Sequence, residues 1–311
     1  MKRFQGTVSM MRWFDAQGGH LETKGISPDG KVINVPLHRH RVTLNIYRVD
    51  VGLQYQFNPQ WTLEANIPYE AKIQEATIEE IEPVAQAELE AIVRNRDNHH
   101  RNETYTGPRD TDILLGYRTT GFLMENDFLI GRIGTTLPFG KTEEDPWKLG
   151  DAGLEHLHIQ FGTGTFNPIA DLHYSFPLYK GWGANASLRG KLPFYENNKT
   201  YRGSREIAYT AGLNYRFNDW LSLQTSYFGF YQSYAYWAAE LDINSGLRFS
   251  MASVGASILT PYNIPLSVAL MLPLTQETLY DDSGALLDGV YEEKDAFEFG
   301  PLVSLTVLYA F

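Results

Sequence analysis

The chain has 311 residues, a formal net charge of −11, no cysteine and a mean hydropathy of −0.30, with 19 Tyr, 17 Phe, 6 Trp and 27 Gly. The acidic balance leaves no basic footprint for nucleic acid, and the missing thiols remove cysteine nucleophiles and thiolate metal sites. Charges or amides interrupt every apolar stretch within about ten residues, so no helix could cross a bilayer, whereas a strand needs only about 9–11 residues with every second one apolar.

An aromatic-rich but moderately polar mixture fits half-apolar strands. Alternation bounded by turn residues predicts strands at 6–16, 39–57, 61–75, 108–119, 125–139, 155–178, 181–194, 205–217, 220–233, 243–259, 264–277 and 294–311. The first of these alternates ambiguously. The start MKRFQGTVSMMRWF lacks an apolar run of 7–15 residues, so any secretory signal is cleaved or lies outside this sequence.

The connections sort by parity. Asn58-Pro59-Gln60, Thr120 to Met124, Tyr179-Lys180, Asn218-Asp219 and Pro261 to Asn263 are short, whereas 17–38, 76–107, 140–154, 195–204, 234–242 and 278–293 are long. Segregation of this kind predicts an all-β, antiparallel up-and-down transmembrane barrel of about twelve strands, with short periplasmic turns and long extracellular loops. The same reading gives one domain over 1–311 in the bacterial outer membrane, with lipid as its surrounding solvent. Hairpins of a soluble β-protein remain the alternative.

Trp61, Trp182 and Trp220 each follow a short turn, at the height expected of an interfacial girdle. Ile67-Pro68-Tyr69, Leu137-Pro138-Phe139, Leu192-Pro193-Phe194 and Leu272-Pro273-Leu274 repeat at the far strand ends, where proline marks a rim of loosened pairing. In the last strand Phe297, Phe299, Val303, Leu305, Val307, Tyr309 and Phe311 share one face, Tyr309 and Phe311 falling at the membrane boundary. A final amphipathic strand over 297–311 ending in an aromatic residue resembles the signal that outer-membrane barrels present to their assembly machinery.

With apolar side chains facing lipid, alternation turns Glu64, Asp112, Arg118, Arg132, Asp171, His173, Arg189, Lys191, Arg216 and Arg248 inward, together with Asn66, Asn185, Asn214, Gln224 and Glu298. An arginine on the lipid face at the midplane costs about 2–4 kcal/mol, which is why these charges belong in a lumen or above the membrane. They can line a narrow passage that selects by size and charge, or knit a closed structural interior. Twelve strands lie between the eight that side chains fill and the sixteen or more that leave an open channel.

Pro83 to Val93 combines proline at a first-turn position with strong helix formers, predicting a helix within loop 76–107. It could lie over the mouth as a lid or pack against neighbouring loops. His38 and His40, like His156 and His158, are spaced i,i+2 and so share a strand face, while His99 and His100 lie in the long loop. Solvated or packing histidines are the bland reading of these pairs, a metal site the sharp one, and no cofactor or metal is expected. His173 and Ser175 share a face, but a nucleophile also needs an oriented base and an oxyanion site, so no enzymatic activity is expected. Gly162-Thr163-Gly164 reads as a bulge within strand 155–178.

The runs Val51 to Phe57, Trp61 to Tyr69, Asp110 to Arg118, Gly134 to Lys141 and Gly162 to Pro168 resemble the phenol-degradation MetA-pathway family of outer-membrane proteins, from about residue 40 onward. That resemblance implies a channel or transporter admitting small molecules, with aromatic or otherwise apolar solutes as its class. The helix-forming insertion at 76–107 departs from the family pattern. A plugged barrel that binds a partner through its loops is the competing reading.

Overall fold

The computed structural model describes residues 3–279 and 298–310. Its twelve barrel strands are β1 (Phe4–Ile26), β2 (Val32–Gln56), β3 (Trp61–Glu80), β4 (Thr111–Thr120), β5 (Phe128–Leu137), β6 (Pro168–Pro177), β7 (Trp182–Lys191), β8 (Glu206–Arg216), β9 (Leu221–Gln232), β10 (Leu247–Leu259), β11 (Pro265–Thr278) and β12 (Leu302–Ala310). Each pairs antiparallel with its sequence neighbours. The register Gln5↔Ala310 through Trp13↔Leu302 joins first strand to last, so the sheet closes and has no edge.

Large apolar side chains stand exposed on alternate positions of these strands, among them Leu53, Ile67, Leu188, Leu272 and Val254, with Ile133 at 66%. An apolar band of that extent on a closed barrel is stable only against lipid, where the barrel also satisfies every ladder hydrogen bond internally. The chain is therefore an outer-membrane β-barrel. Trp61 and Trp182 lie outside it beside short turns, each ring 4.9 Å from a cross-strand tyrosine, Tyr117 and Tyr215. Trp220 and Tyr309 are exposed on the same surface.

Strand length divides the molecule. Strands β4 to β12 run 9–14 residues, about what a tilted crossing needs, but β1, β2 and β3 run 23, 25 and 20. The expected long connection 17–38 is accordingly a β-ribbon closed by a turn at Ser27 to Lys31, where the Ser27 amide donates to the Lys31 carbonyl at 2.9 Å. Pro28-Asp29-Gly30, with Gly30 at φ 82°, supplies the turn chemistry that makes so short a connection possible. The ambiguous alternation of the first strand has a local cause too: a bulge between Trp13 and Ala16, with Asp15 at φ 50°, shifts its register.

Three other expectations change. Helix α1 spans Gln86–His99 rather than 83–93, and a short strand, Glu103–Pro108, follows it and pairs with the upper part of β3. The strand expected over 155–178 begins only at Pro168, because residues 155–167 fold over the mouth as a loop. There the Asp110 carboxylate accepts from the Gly140 amide (3.0 Å), the Thr163 amide (2.8 Å) and the Thr163 hydroxyl (2.7 Å), so Gly162-Thr163-Gly164 is held as a loop and is no bulge. Strand 294–311 likewise begins at Leu302, and the Phe299 ring lies on Phe249 inside the barrel at 5.2 Å instead of facing lipid. Phe297 and Phe311 fall outside the described residues.

Candidate lumen site

Inside the barrel, strands β2 to β7 carry a ladder of paired charges. Arg132 on β5 donates from Nε to Glu64 on β3 at 2.9 Å and from Nη1 to Asp171 on β6 at 2.7 Å. Between Arg132 and Glu64 runs β4, and the residue opposite Arg132 is Gly116, where an added Cβ would lie 2.5 Å from Thr62 Oγ1 and 3.2 Å from Glu64 Oε1. Only glycine leaves the pair room to span that strand. Arg189 on β7 donates to Asp112 at 2.7 Å, and Lys191 reaches Glu206 at 2.6 Å. Charge-assisted bonds of this kind are the strong ones, and each fixes a side chain that would otherwise move freely in the lumen.

A second set continues toward the extracellular rim and, Asn66 apart, escaped the sequence reading. Arg48 donates two hydrogen bonds to Asp50, at 2.8 and 2.7 Å, while Asn66 donates to the same carboxylate at 3.0 Å. Glu70, almost completely buried, accepts from Arg109 at 2.6 Å and has Lys72 and Arg48 within 3.6 and 3.7 Å. Arg48 and Asp50 were readable: they alternate with the lipid-facing Val49, Val51 and Leu53. Arg109 was less so, since it lies outside any strand.

The other predicted inward residues divide. His173 is half-buried on β6 with its ring 5.7 Å from that of Phe128, and the Arg118 guanidinium lies over the Phe128 ring at 4.8 Å near the short-turn end. Arg216 belongs to the periplasmic mouth, where it is largely exposed and pairs with Asp219 of the adjoining turn at 2.7 Å. Arg248 is a correction. It shares a face with lipid-exposed Val254, stands at the extracellular end and pairs with Glu277, because the parity of β10 puts Phe249 and Met251 inside instead.

Strands β8 to β12 with β1 present a different wall. Hydroxyl pairs Ser9–Thr306 (2.9 Å) and Ser257–Ser267 (2.8 Å) line it, and Ser187 of β7 with Thr210 of β8 (2.7 Å) forms its border with the charged wall. Above them Phe228, Phe230 and Phe299 gather around Phe249 with centroids 5.2–5.9 Å apart, beside buried Met251. Against the charged wall lies a cavity of about 310 Å³ bounded by Gln54, Glu64, Asp112, Arg132, Asp171 and Arg189, with Thr7 of β1 at its border. That is the lower end of the size range of small-ligand pockets.

Over the extracellular mouth, α1 packs Ala91 and Ile92 on Val35. Arg94 donates to the Ile26 carbonyl at 2.7 Å and Asn95 to that of Lys24 at 3.0 Å, which fixes the helix on the β1–β2 ribbon. Histidines expected on separate hairpins meet here. His40 lies 3.2 Å from both His38 and His99, and His99 stacks on His156 at 5.4 Å. Burial, and then the imidazoles of His100, His40, His20 and His158, hold His99 well below the ordinary imidazole range, so its ring is neutral at pH 7. His20 was not singled out in the sequence; its signal was the extension of β1 past residue 16.

No protein-family model matches the chain, and no curated protein matches its sequence. Among solved structures an outer-membrane channel from Pseudomonas putida F1 superposes with a TM-score of 0.58 at 12% identity, over 98% of this chain and 95% of that one. The two share a fold. A FadL homologue from Pseudomonas aeruginosa (TM-score 0.43, 10% identity, 100% and 90% of the two chains) and the NanC porin (0.42, 8%, 94% and 98%) are more remote.

Proposed function

We propose that the chain, as one barrel domain, is a channel for passive entry of small molecules, with aromatic or otherwise apolar compounds as the favoured class. The observation that carries this reading is the divided lumen: a charged ladder lines a cavity of about 310 Å³, and hydroxyls with a phenylalanine cluster form the other wall of the barrel. A solute with an apolar ring and one polar group finds partners on both walls, while the paired charges narrow the path. Glu64, Asp112, Arg132, Asp171, Arg189 and Lys191 are the constriction in this reading, His173 and Arg118 lie below it, and Arg216 guards the periplasmic exit. The likeness of the sequence to the phenol-degradation MetA-pathway family supports the solute class. We further infer that Trp61, Trp182, Trp220 and Tyr309 anchor the barrel in the interface, and that the C-terminal strand is read by the barrel-assembly machinery.

A second reading draws on the same ion pairs. Charges so completely matched can serve a purely structural interior, with α1 and loop 138–167 closing the mouth over it. Proteoliposome swelling separates the two: phenol and benzyl alcohol should enter faster than into protein-free liposomes, and faster than glucose. Equal rates with and without folded protein would leave the structural reading.

A further inference from the structure

Seven of the eight histidines of the chain lie in the extracellular cap. They come from four separate segments: β1 brings His20, β2 brings His38 and His40, the end of α1 brings His99 and His100, and the mouth loop brings His156 and His158. Such convergence is unlike the even scatter of a solubilising surface, and His38, His40, His99 and His100 are buried. Burying this many polar rings together is costly unless something satisfies them jointly.

The geometry points to a binding site for one borderline divalent transition-metal ion, Zn²⁺ or Cu²⁺, formed by His20, His40, His99 and His100. One ring nitrogen from each lies within 4.8 Å of those of the other three. Tetrahedral zinc at Zn–N ≈ 2.0–2.1 Å separates its ligands by about 3.4 Å, so small ring rotations close the set. All four donors are imidazoles, which suit zinc, copper and nickel rather than the oxygen-seeking magnesium or calcium.

Proton counting strengthens the assignment. His99 Nδ1 lies 2.8 Å from the Asn95 carbonyl and His38 Nδ1 lies 2.9 Å from that of Pro36. A carbonyl oxygen can only accept, so each Nδ1 carries the proton and each Nε2 presents a lone pair. Both lone pairs point at His40, Nε2 of His99 at its Nδ1 and Nε2 of His38 at its Nε2, each at 3.2 Å. A neutral His40 has one proton for two such contacts, and the other contact is lone pair against lone pair. A bound cation removes that conflict, and the His99 Nδ1 to carbonyl bond is the kind of outer contact that orients a metal-binding imidazole.

The scaffold is rigid where the site needs it. Gly19, at φ 138°, has no room for a Cβ, which would sit 2.0 Å from the His40 carbonyl, so β1 approaches β2 closely beside His20. The hydrogen bonds of Arg94 and Asn95 hold α1 in register. Metal binding would thus clip α1 to the β1–β2 ribbon across nearly sixty residues of chain, a stabilisation that follows mass action.

The test uses the full chain, untagged, folded in detergent, stripped with EDTA and titrated calorimetrically with ZnCl₂ and then CuCl₂ at pH 7.5. One equivalent should bind, and His40→Gln with His99→Gln should weaken binding by about 100-fold or more, since even outer-shell partners are worth 10–100-fold. Electron paramagnetic resonance of the Cu²⁺-loaded parent should show at least three imidazole nitrogens, which keeps the proposal testable should the double variant not fold. No stoichiometric binding of either ion, unchanged binding in the folded double variant, or fewer than three nitrogens on copper would overturn it; in the first case the cluster answers to protons only.

Discussion

The two walls of the lumen solve the problem of a polar interior in opposite ways. On β2 to β7 full charges are buried in pairs, and each carboxylate has a guanidinium or ammonium within reach, as Glu64 and Asp171 share Arg132. On β8 to β12 and β1 inner hydroxyls satisfy one another across strands, as Ser257 does Ser267 and Ser9 does Thr306, topped by phenylalanines that need no partner. The first wall is rigid and sensitive, since removing one ion leaves another uncompensated. The second is smooth and tolerant. A channel built from both has its electrical selectivity on one side and its affinity for apolar rings on the other.

The sharpest way to break this division is Arg132→Glu, which places three carboxylates together. The lumen gains two negative charges, so the reversal potential in a salt gradient should move strongly toward cation selectivity; an unmoved potential would take Arg132 out of the conduction path. Next in size is Phe249→Ala, which should lower the flux of phenol several-fold while leaving ion conductance nearly unchanged. Parallel loss of both would mean that the two walls do not divide the work.

Acid should also tell the walls apart. The turn joining β4 to β5 is tied by Asp127, which accepts from the amides of Phe122, Leu123 and Met124 and from the Tyr174 hydroxyl at 2.7–2.9 Å. Burial would raise this carboxyl, but those four donors overcome it and hold it well below the usual carboxylate range. Its folded-state value is depressed, so its stabilisation is present above the unfolded value of about 3.9 and is lost as pH falls below that. The β8–β9 turn is tied instead by the uncharged Asn218, which accepts from the Trp220 and Leu221 amides at 3.0 and 2.8 Å. Hydrogen exchange, corrected for its intrinsic pH dependence, should therefore rise in 121–127 between pH 5 and 2.5 but not in 217–220, and Asp127→Asn should abolish the difference.

The smallest effect belongs to the hydroxyl wall. Ser187→Ala with Thr210→Val removes both partners of one hydrogen bond, and the change in unfolding free energy should stay within about 1 kcal/mol. A loss as large as that of a severed ion pair would show that the second wall is no more tolerant than the first.

Much of this was legible in the sequence because a barrel strand has a period of two and lipid enforces it. The exposed Ile133 and Leu188 fix the inward direction of Arg132 and Arg189 without any knowledge of their partners. Arg248 misled because it shares a face with lipid-exposed Val254 but stands at the rim beside Glu277, where the outer face no longer meets lipid and a charge costs little. The convergence of the histidine pairs was invisible for another reason. It depends on β1 to β3 continuing well above the membrane, where alternation no longer distinguishes lipid from lumen, and on a loop at 155–167 whose β-like composition hid its hydrogen bonding to Asp110. Contacts made between a helix, a ribbon and a loop have no period to betray them.

Single-channel recording in a planar bilayer addresses the passage itself. Detergent-folded protein with a heat-modifiable gel band should give discrete conductance steps that shrink when phenol is added on the side of the long loops. A folded, bilayer-inserted barrel that passes no current and admits no solute would contradict the open path between the two walls.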